Sequence, residues 1–358
     1  MAIYFLCPDY TYPFGGVKVI YRHVDILNVH GISAFVLHEK PGFRCNWFDN
    51  DTRIAYLGRP FLVRLCLKTR KFFQPGHPRG WVVRGGESKA LGLGDFLVVP
   101  ENMGPDISDM AKGIKKVILN QGCYLTFQDY PLEKDRVKTP YGHPEVIAVL
   151  TNSDNGLEYL RYVFPQISIT RFHLSIDPKV FAFRAEKKKQ ICFTPKKNEP
   201  IVRQVINILK FRDALRDFQL FPFSGTSQKE VVRIMQESAI FLSFAQHEGF
   251  GLPMAEAMAC GCIVIGYPAG GGREFLKPEF SFPVEDGNVL GFARAVEEVI
   301  RAYETGSACF TEMARAASEF VAKHYSPQRE EEEIFSFWKK LVYPIDSSES
   351  SNSKHRRH

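Results

Sequence analysis

Several features are missing from these 358 residues, and each absence removes a class of function. No apolar run approaches the ~20 residues a helix needs to cross a bilayer, so no membrane span is expected. The first residues, MAIYFLCPDYTYPFGG, lack a basic leader and reach Pro8 and Asp9 too early for a signal peptide. They read as a first strand. The eight cysteines contain no C-x-x-C pair, and only Cys260 and Cys262 lie close together. That argues against a zinc framework and makes Cys7, Cys192 and Cys262, with their apolar neighbours, reduced core thiols. Reduced thiols point to a cytoplasm, bacterial or equivalent. No G-x-G-x-x-G follows the first strand, since FGGVKV does not supply it, which weighs against a dinucleotide-dependent oxidoreductase.

Acidic residues are also missing from one stretch, Arg53 to Arg84, although the net charge is a mild +6. Within it Arg64, Lys68 and Lys71 share helical spacing, with Leu62, Leu65, Phe72 and Phe73 available for another face. Residues 59–84 therefore read either as a solvated helix face or as a peripheral contact with an anionic membrane. Under the second reading the protein works at the inner face of the membrane. No nucleic-acid partner is expected, because the basic residues are not interleaved with an RNA- or DNA-binding motif.

What is present is an alternation of short apolar runs and amphipathic helical patterns, the signature of parallel α/β units. AIYFLC, SAFVLH, DFLVVP, KVILNQ and VIAVLTN are the strands of a first series. QICFTP, FQLFPFSG, AIFLSF and CIVIGYP form a second. A chain of this length exceeds one ordinary core. The division expected is 1–172 and 173–326 as two Rossmann-like domains, then a helix in 327–345 and a disordered tail in 346–358. The last helix, about Gln328 to Val342, opens with Glu330–Glu333, where acid complements the helix dipole.

The most informative stretch is SFAQHEGFGLPMAEAMACGCIVIGYPAGGGREFL, Ser243 to Leu276. A buried strand ends, a glycine-flanked loop follows, and Pro253 suits the first turn of a short helix. Such a helix start offers unpaired N–H groups and partial positive charge to a phosphate. Gly249 and Gly251 allow the backbone to approach such an anion closely. Glu248 before the helix and Glu256 one turn inside it can accept hydrogen bonds from two flanking diols. Gly270, Gly271 and Gly272 repeat the strand-to-helix glycine turn and are expected to expose backbone donors.

This stretch resembles the donor-site signature of retaining GT-B glycosyltransferases, the glycosyl transferases group 1 type, with two glutamates seven residues apart. Further similarity runs through SIDPKVFAF (Asp177, Phe181), SGTSQKEVVRIMQESAIFLSF and VEDGNVLGFARAVEEVI. The resemblance implies an α/β fold of two Rossmann-like domains facing a cleft, with the last helix returning to the first domain. By the same resemblance, Glu248 contacts the donor sugar and Glu256 the ribose. Phe250, Gly251, Leu252, Gly271 and Gly272 surround the donor. Retention of configuration is implied, with a nucleotide-diphosphate sugar as donor and no metal or other cofactor. One departure is that the family's Arg and Lys after the first strand of the second domain are replaced by Lys196 and Lys197, Arg203 coming later. The cationic role falls to Lys196 or Lys197.

In the first domain, Gly15 and Gly16 match the family's Gly-Gly turn, which faces acceptor and donor phosphates. VILNQGCYLTF is similar to a polysaccharide-building, rhamnosyl-transferring subgroup, and Asn120, Gln121 and Tyr124 are the candidate acceptor residues, with Phe127 as a further stacking ring. Glu101 and Asn102 occupy an equivalent strand end. Asp49-Asn50-Asp51 is formally an Asp-x-Asp metal motif but reads as a polar turn. His23 and His173 are lone histidines, either structural or partners for substrate oxygens. The expected partners are a nucleotide sugar and a glycan or lipid-linked saccharide. Two rival readings are a sugar-nucleotide epimerase on the same fold and a non-catalytic sugar-binding protein.

Overall fold

The computed structural model describes residues 1–58, 82–84, 89–128, 130–132 and 137–343. Two sheets organise them. The first collects β1 (Ile3–Leu6), β2 (Ala34–His38), β3 (Ile54–Gly58), β4 (Val82–Arg84), β5 (Lys89–Ala90), β6 (Phe96–Pro100), β7 (Lys115–Asn120), β8 (Val146–Thr151) and β9 (Ile169–Arg171). Their order is β5-β4-β3-β2-β1-β6-β7-β8-β9. The pairs from β3 through β9 are parallel, whereas β4 runs antiparallel to β3 and β5 antiparallel to β4. The second sheet, all parallel, has the order β11-β10-β12-β13-β14. Its strands are β10 (Lys188–Phe193), β11 (Gln219–Pro222), β12 (Ser238–Ser243), β13 (Ile263–Gly266) and β14 (Phe282–Pro283).

The helices fill the crossovers. They are α1 (Gly15–Val29), α2 (Asp154–Val163), α3 (Glu199–Phe211), α4 (Gln228–Glu237), α5 (Leu252–Ala259), α6 (Val289–Thr305), α7 (Ser307–His324) and α8 (Pro327–Val342). Their starts are chemically marked: Ser153 accepts from Gly156 N–H at 3.1 Å, and Ser326 accepts from Arg329 N–H at 3.2 Å ahead of Pro327.

Of the segment read as a helix face, 59–84, the described residues are Val82–Arg84, and they form strand β4. The acid-free stretch ahead of that segment begins as strand β3, with Ile54, Ala55 and Tyr56 in register with Val36, Leu37 and His38. The Arg53 guanidinium lies 4.2 Å from the centre of the Phe35 ring and donates to Asn28 Oδ1, so this cation is spent on the first lobe itself. Arg64, Lys68 and Lys71, with the rest of 59–81, lie outside the described residues, as does the tail from 344 onward. Among the described residues no helix is long and apolar enough to cross a membrane. Cys7, Cys45, Cys123, Cys192, Cys260 and Cys262 are buried and unpaired, and Cys309 is exposed.

Helix α8 belongs to the end of the chain but packs against its beginning. Trp338 is fully buried, edge-on to Phe5 and Phe96 at 5.8 and 6.0 Å, and its indole N–H donates to His23 Nε2 at 2.8 Å. Its acidic first turns do more than meet the helix dipole. Glu330 binds Arg22 and, at 2.5 Å, the Ser175 hydroxyl, Glu331 meets His30, and Glu333 meets His173 at 2.9 Å. His23 and His173 are thus both engaged in structure. Burial pushes the His23 imidazole down to about 3, which keeps it a neutral acceptor for the indole.

Candidate active site

Strand β12 is buried along its whole length and delivers the 244–251 loop to the carboxyl edge of the second sheet, where open α/β sheets bind ligands. The loop is pinned by main-chain bonds: Glu248 N–H donates to Ala269 O at 2.9 Å, and Glu248 bridges Gly270 in parallel. Gly251 then caps α5 with φ +95°, and a Cβ there would lie 2.2 Å from Met254 Cε. Only glycine fits that position. The N–H groups of Met254 and Ala255 turn back to Gly251 O, and Pro253 has none. Those of Phe250, Gly251 and Leu252 make no hydrogen bond among the described residues. The Phe250 ring itself is core, 5.1 Å from both Phe275 and Tyr325.

Around this helix start, Thr194, Lys197, Ser243, Glu248, Gly251 and Pro253 line a pocket. Lys197 Nζ meets Glu248 Oε1 at 2.5 Å across its edge, while Lys196 is exposed and has no partner among the described residues. Of the two lysines, only Lys197 touches the loop. Glu256 is part-buried, and its carboxylate accepts no hydrogen bond among the described residues. Burial pushes its carboxyl above the usual carboxylate range, and Lys18 of α1 pulls it partly back. The Lys18 ammonium is lowered by burial and raised by Glu256, so each desolvated group is only partly compensated by the other. Lys18 also lies 5.6 Å above the Phe181 ring. Nothing in the motif marks Lys18 except its place one turn after Gly15.

The glycines of the first lobe meet this loop directly. Gly15 begins α1, and a Cβ on it would lie 2.9 Å from Leu252 Cδ1. The starts of α1 and α5 therefore lie against each other. Gln121 Nε2 donates to Gly16 O at 3.1 Å, and a Cβ on Gly249 would stand 1.6 Å from Gln121 O. Tyr124 is 42% exposed and packs its ring edge against His247 at 4.8 Å.

Three expectations need correcting. Asn120 does not reach the cleft: it is fully buried, and its amide donates to Thr126 Oγ1 and Tyr141 OH at 2.9 and 2.8 Å. Its side chain points to the interior side of β7, so it organises the strand end and leaves Gln121 at the surface. Gly271 and Gly272 do not expose donors. Their N–H groups bond Glu248 O and Ala269 O at 3.2 Å and Pro268 O at 2.9 Å, because the Gly271–Glu274 turn folds back on the Glu248 loop. Phe127 packs edge-on to Tyr130 and tilted against Phe164, in place of a ligand.

Near the cleft stand Glu101, which its strand-end position singled out, and Arg171, which carries no motif signal. Glu101, at the end of β6, is buried and accepts the N–H groups of Gln121 and Gly122, with burial lifting its carboxyl to about 7. Arg171 at the end of β9 holds Asp154 at 2.6 Å and Glu274 of the second lobe at 2.7 Å, and Tyr325 OH donates to the same Glu274 oxygen at 2.9 Å. Asp49 and Asp51 lie in the loop before β3, where Asn50 bonds the carbonyls of Cys45 and Phe48. No group of three metal-ligating side chains occurs among the described residues.

Residues 214–316 match the family described as glycosyl transferases group 1. A 119-residue segment is 33% identical to the alpha-1,6-glucosyltransferase of Actinobacillus pleuropneumoniae serotype 7 (strain AP76), covering 30% of this chain and 35% of that protein. The chain thus aligns with about a third of that relative's length. Among solved structures, sucrose-phosphate synthase (tll1590) from Thermosynechococcus elongatus superposes with a TM-score of 0.66 at 12% identity, over 95% of this chain and 99% of that one. A mutant of S. aureus TarM in complex with Fondaparinux, alpha-GlcNAc-glycerol and UDP gives 0.62 at 12% identity, over 96% and 100%. Anabaena Alr3699/HepE in complex with UDP and glucose gives 0.57 at 11%, over 95% and 100%. At such identities the likeness establishes the fold, which is GT-B.

Proposed function

We propose that this chain, whose residues 214–316 belong to the glycosyl transferases group 1 family and whose two sheets have the GT-B arrangement, is a glycosyltransferase. It moves a hexose or deoxyhexose from a nucleotide-diphosphate sugar to a hydroxyl of a glycan or lipid-linked saccharide, in cell-surface polysaccharide synthesis. One observation carries the reading. The unpaired N–H groups of Phe250, Gly251 and Leu252 open a helix whose start packs against that of α1, with Glu248 just before it and Glu256 one turn inside. Two helix starts so close together concentrate partial positive charge, and a pyrophosphate complements it.

Each neighbouring group then has a task. Glu256, lifted by burial and without a hydrogen-bond donor, gains two when a ribose diol reaches it. Lys197 moves from Glu248 to the departing diphosphate, leaving Glu248 to the sugar hydroxyls. The bond from the anomeric carbon to the diphosphate oxygen breaks, the acceptor oxygen takes its place, and its proton passes to the leaving diphosphate. Catalysis rests on charge stabilisation and on juxtaposing two substrates. Retention, carried by the resemblance, uses the front face and no enzyme nucleophile. No metal enters the scheme, since lysine and N–H groups meet the developing charge. Buried unpaired thiols support a cytoplasmic site of action.

The test is thermal shift with UDP, GDP, ADP and dTDP and their sugars, because a ligand that binds the folded state raises Tm. At least one raises Tm in the wild type. Glu256→Ala loses most of that shift, whereas Glu248→Ala keeps it and turns over at least 100-fold more slowly. No shift with any nucleotide, or wild-type behaviour in both variants, ends the reading.

A further inference from the structure

The loop between β1 and α1 carries three aromatic rings beside the Gly15–Gly16 turn, and the donor pocket uses none of them. Tyr10 is anchored: it packs against the first lobe's core, and its carbonyl accepts the Cys45 thiol at 3.7 Å. Tyr12 stacks on Tyr10 with ring centres 5.0 Å apart and planes 17° apart, and Phe14 meets Tyr10 edge-on at 5.4 Å. Yet Tyr12 is 54% exposed and Phe14 46%. Phe14 is also the residue that precedes α1, and its ring edge would lie 3.0 Å from a Cβ on Gly16. The Gln121 amide holds Gly16 O from the β7 side, so the turn bearing the rings is tied to the acceptor-side loop.

Two large rings kept half in water, yet ordered by a third, are costly unless something covers them. The faces of such rings carry negative charge and attract polarised C–H groups. A pyranose has this complementary form, with a face of axial C–H bonds to lie on the rings and a rim of hydroxyls left to water. An apolar floor with a few polar groups at its edge is the usual make-up of a small-ligand site. A lipid surface would favour basic neighbours, whereas the acid within the loop, Asp9, is turned to His38 and the Lys40 N–H.

We propose that Tyr12 and Phe14, braced by Tyr10, form an acceptor subsite that stacks on the C–H face of a pyranose ring. The inference rests on the transferase reading and deepens it: the acceptor is a saccharide, held by its ring in the first lobe. The test is saturation-transfer NMR on the whole chain with methyl α-D-glucopyranoside, methyl β-D-galactopyranoside and methyl α-L-rhamnopyranoside. Wild type and Tyr12→Phe transfer signal to the ring C–H protons of at least one glycoside, and Tyr12→Ala and Phe14→Ala lose at least threefold. Circular dichroism and Tm check that the variants are folded. Equal signals in all four proteins overturn the proposal, as does no signal from any glycoside. Ring-dependent binding to phosphatidylglycerol vesicles in place of the glycosides also overturns it. Nucleotide thermal shifts on the same wild-type sample separate the two readings. A protein that shifts with nucleotide but ignores every glycoside fails the subsite alone, and one with the opposite pattern fails the donor assignment alone.

Discussion

Glu101 is buried at the end of β6, and two main-chain N–H groups from the Gln121 turn face its carboxylate. Burial wins over those donors and lifts the group from its ordinary value to about 7. A carboxyl whose folded value is raised contributes stability that is fully present below its unfolded value and is lost as pH rises through the folded one. Above pH 7 the ionised form therefore costs up to ~3 kcal/mol. Glu101→Gln should be more stable than wild type at pH 8, and the gain should shrink as pH falls and disappear by about pH 4. Urea midpoints at the two pH values check this, and a constant difference between them would refute it. The same strand edge shows why Asn120 and Gln121 could not be ranked from sequence. Strand side chains alternate between faces, and two polar residues in succession do not say which one looks inward. Glu248 and Glu256 were easier to place, because the Gly-x-Gly-x-Pro between them sets the turn, the cap and the helix start.

At the scale of elements, α1, β12 and α5 were legible because each has several turns of pattern or a continuous apolar run bounded by glycine or proline. The strands β3, β4, β5 and β14 were not, being two to five residues long and without a period to read. The two loops that meet at the cleft are packed main chain to main chain, a contact with no sequence signature beyond the glycines. A methyl group on Gly249 would overlap Gln121 O, and one on Gly271 would lie 2.1 Å from Gly249 O. Gly249→Ala should therefore push the second-lobe loop away from the Gln121 turn while leaving both sheets intact. We expect an unchanged far-UV spectrum and at least tenfold weaker nucleotide binding by titration calorimetry. Wild-type affinity in that variant would show that the contact does not shape the pocket.

Across the whole molecule the lobes are laced together from both ends. Arg171 and Tyr325 converge on Glu274, and α8 brings Glu330, Glu333 and Trp338 back to the first lobe. Trp338→Ala removes a fully buried ring and leaves the neutral His23 nitrogen without its donor, so we expect a loss of ~3–5 kcal/mol. Equilibrium unfolding in guanidinium measures it, and a loss below about 1 kcal/mol would mean that α8 is dispensable to the first lobe. The position of that tryptophan also bears on how the chain matures during synthesis. Phe5, His23 and Phe96 emerge from the ribosome early, but the side chain that shields them is made more than two hundred residues later. Until Trp338 has been made, the nascent first lobe carries an uncovered greasy flank, and termination anywhere before that residue yields a product that chaperones and proteases would recognise.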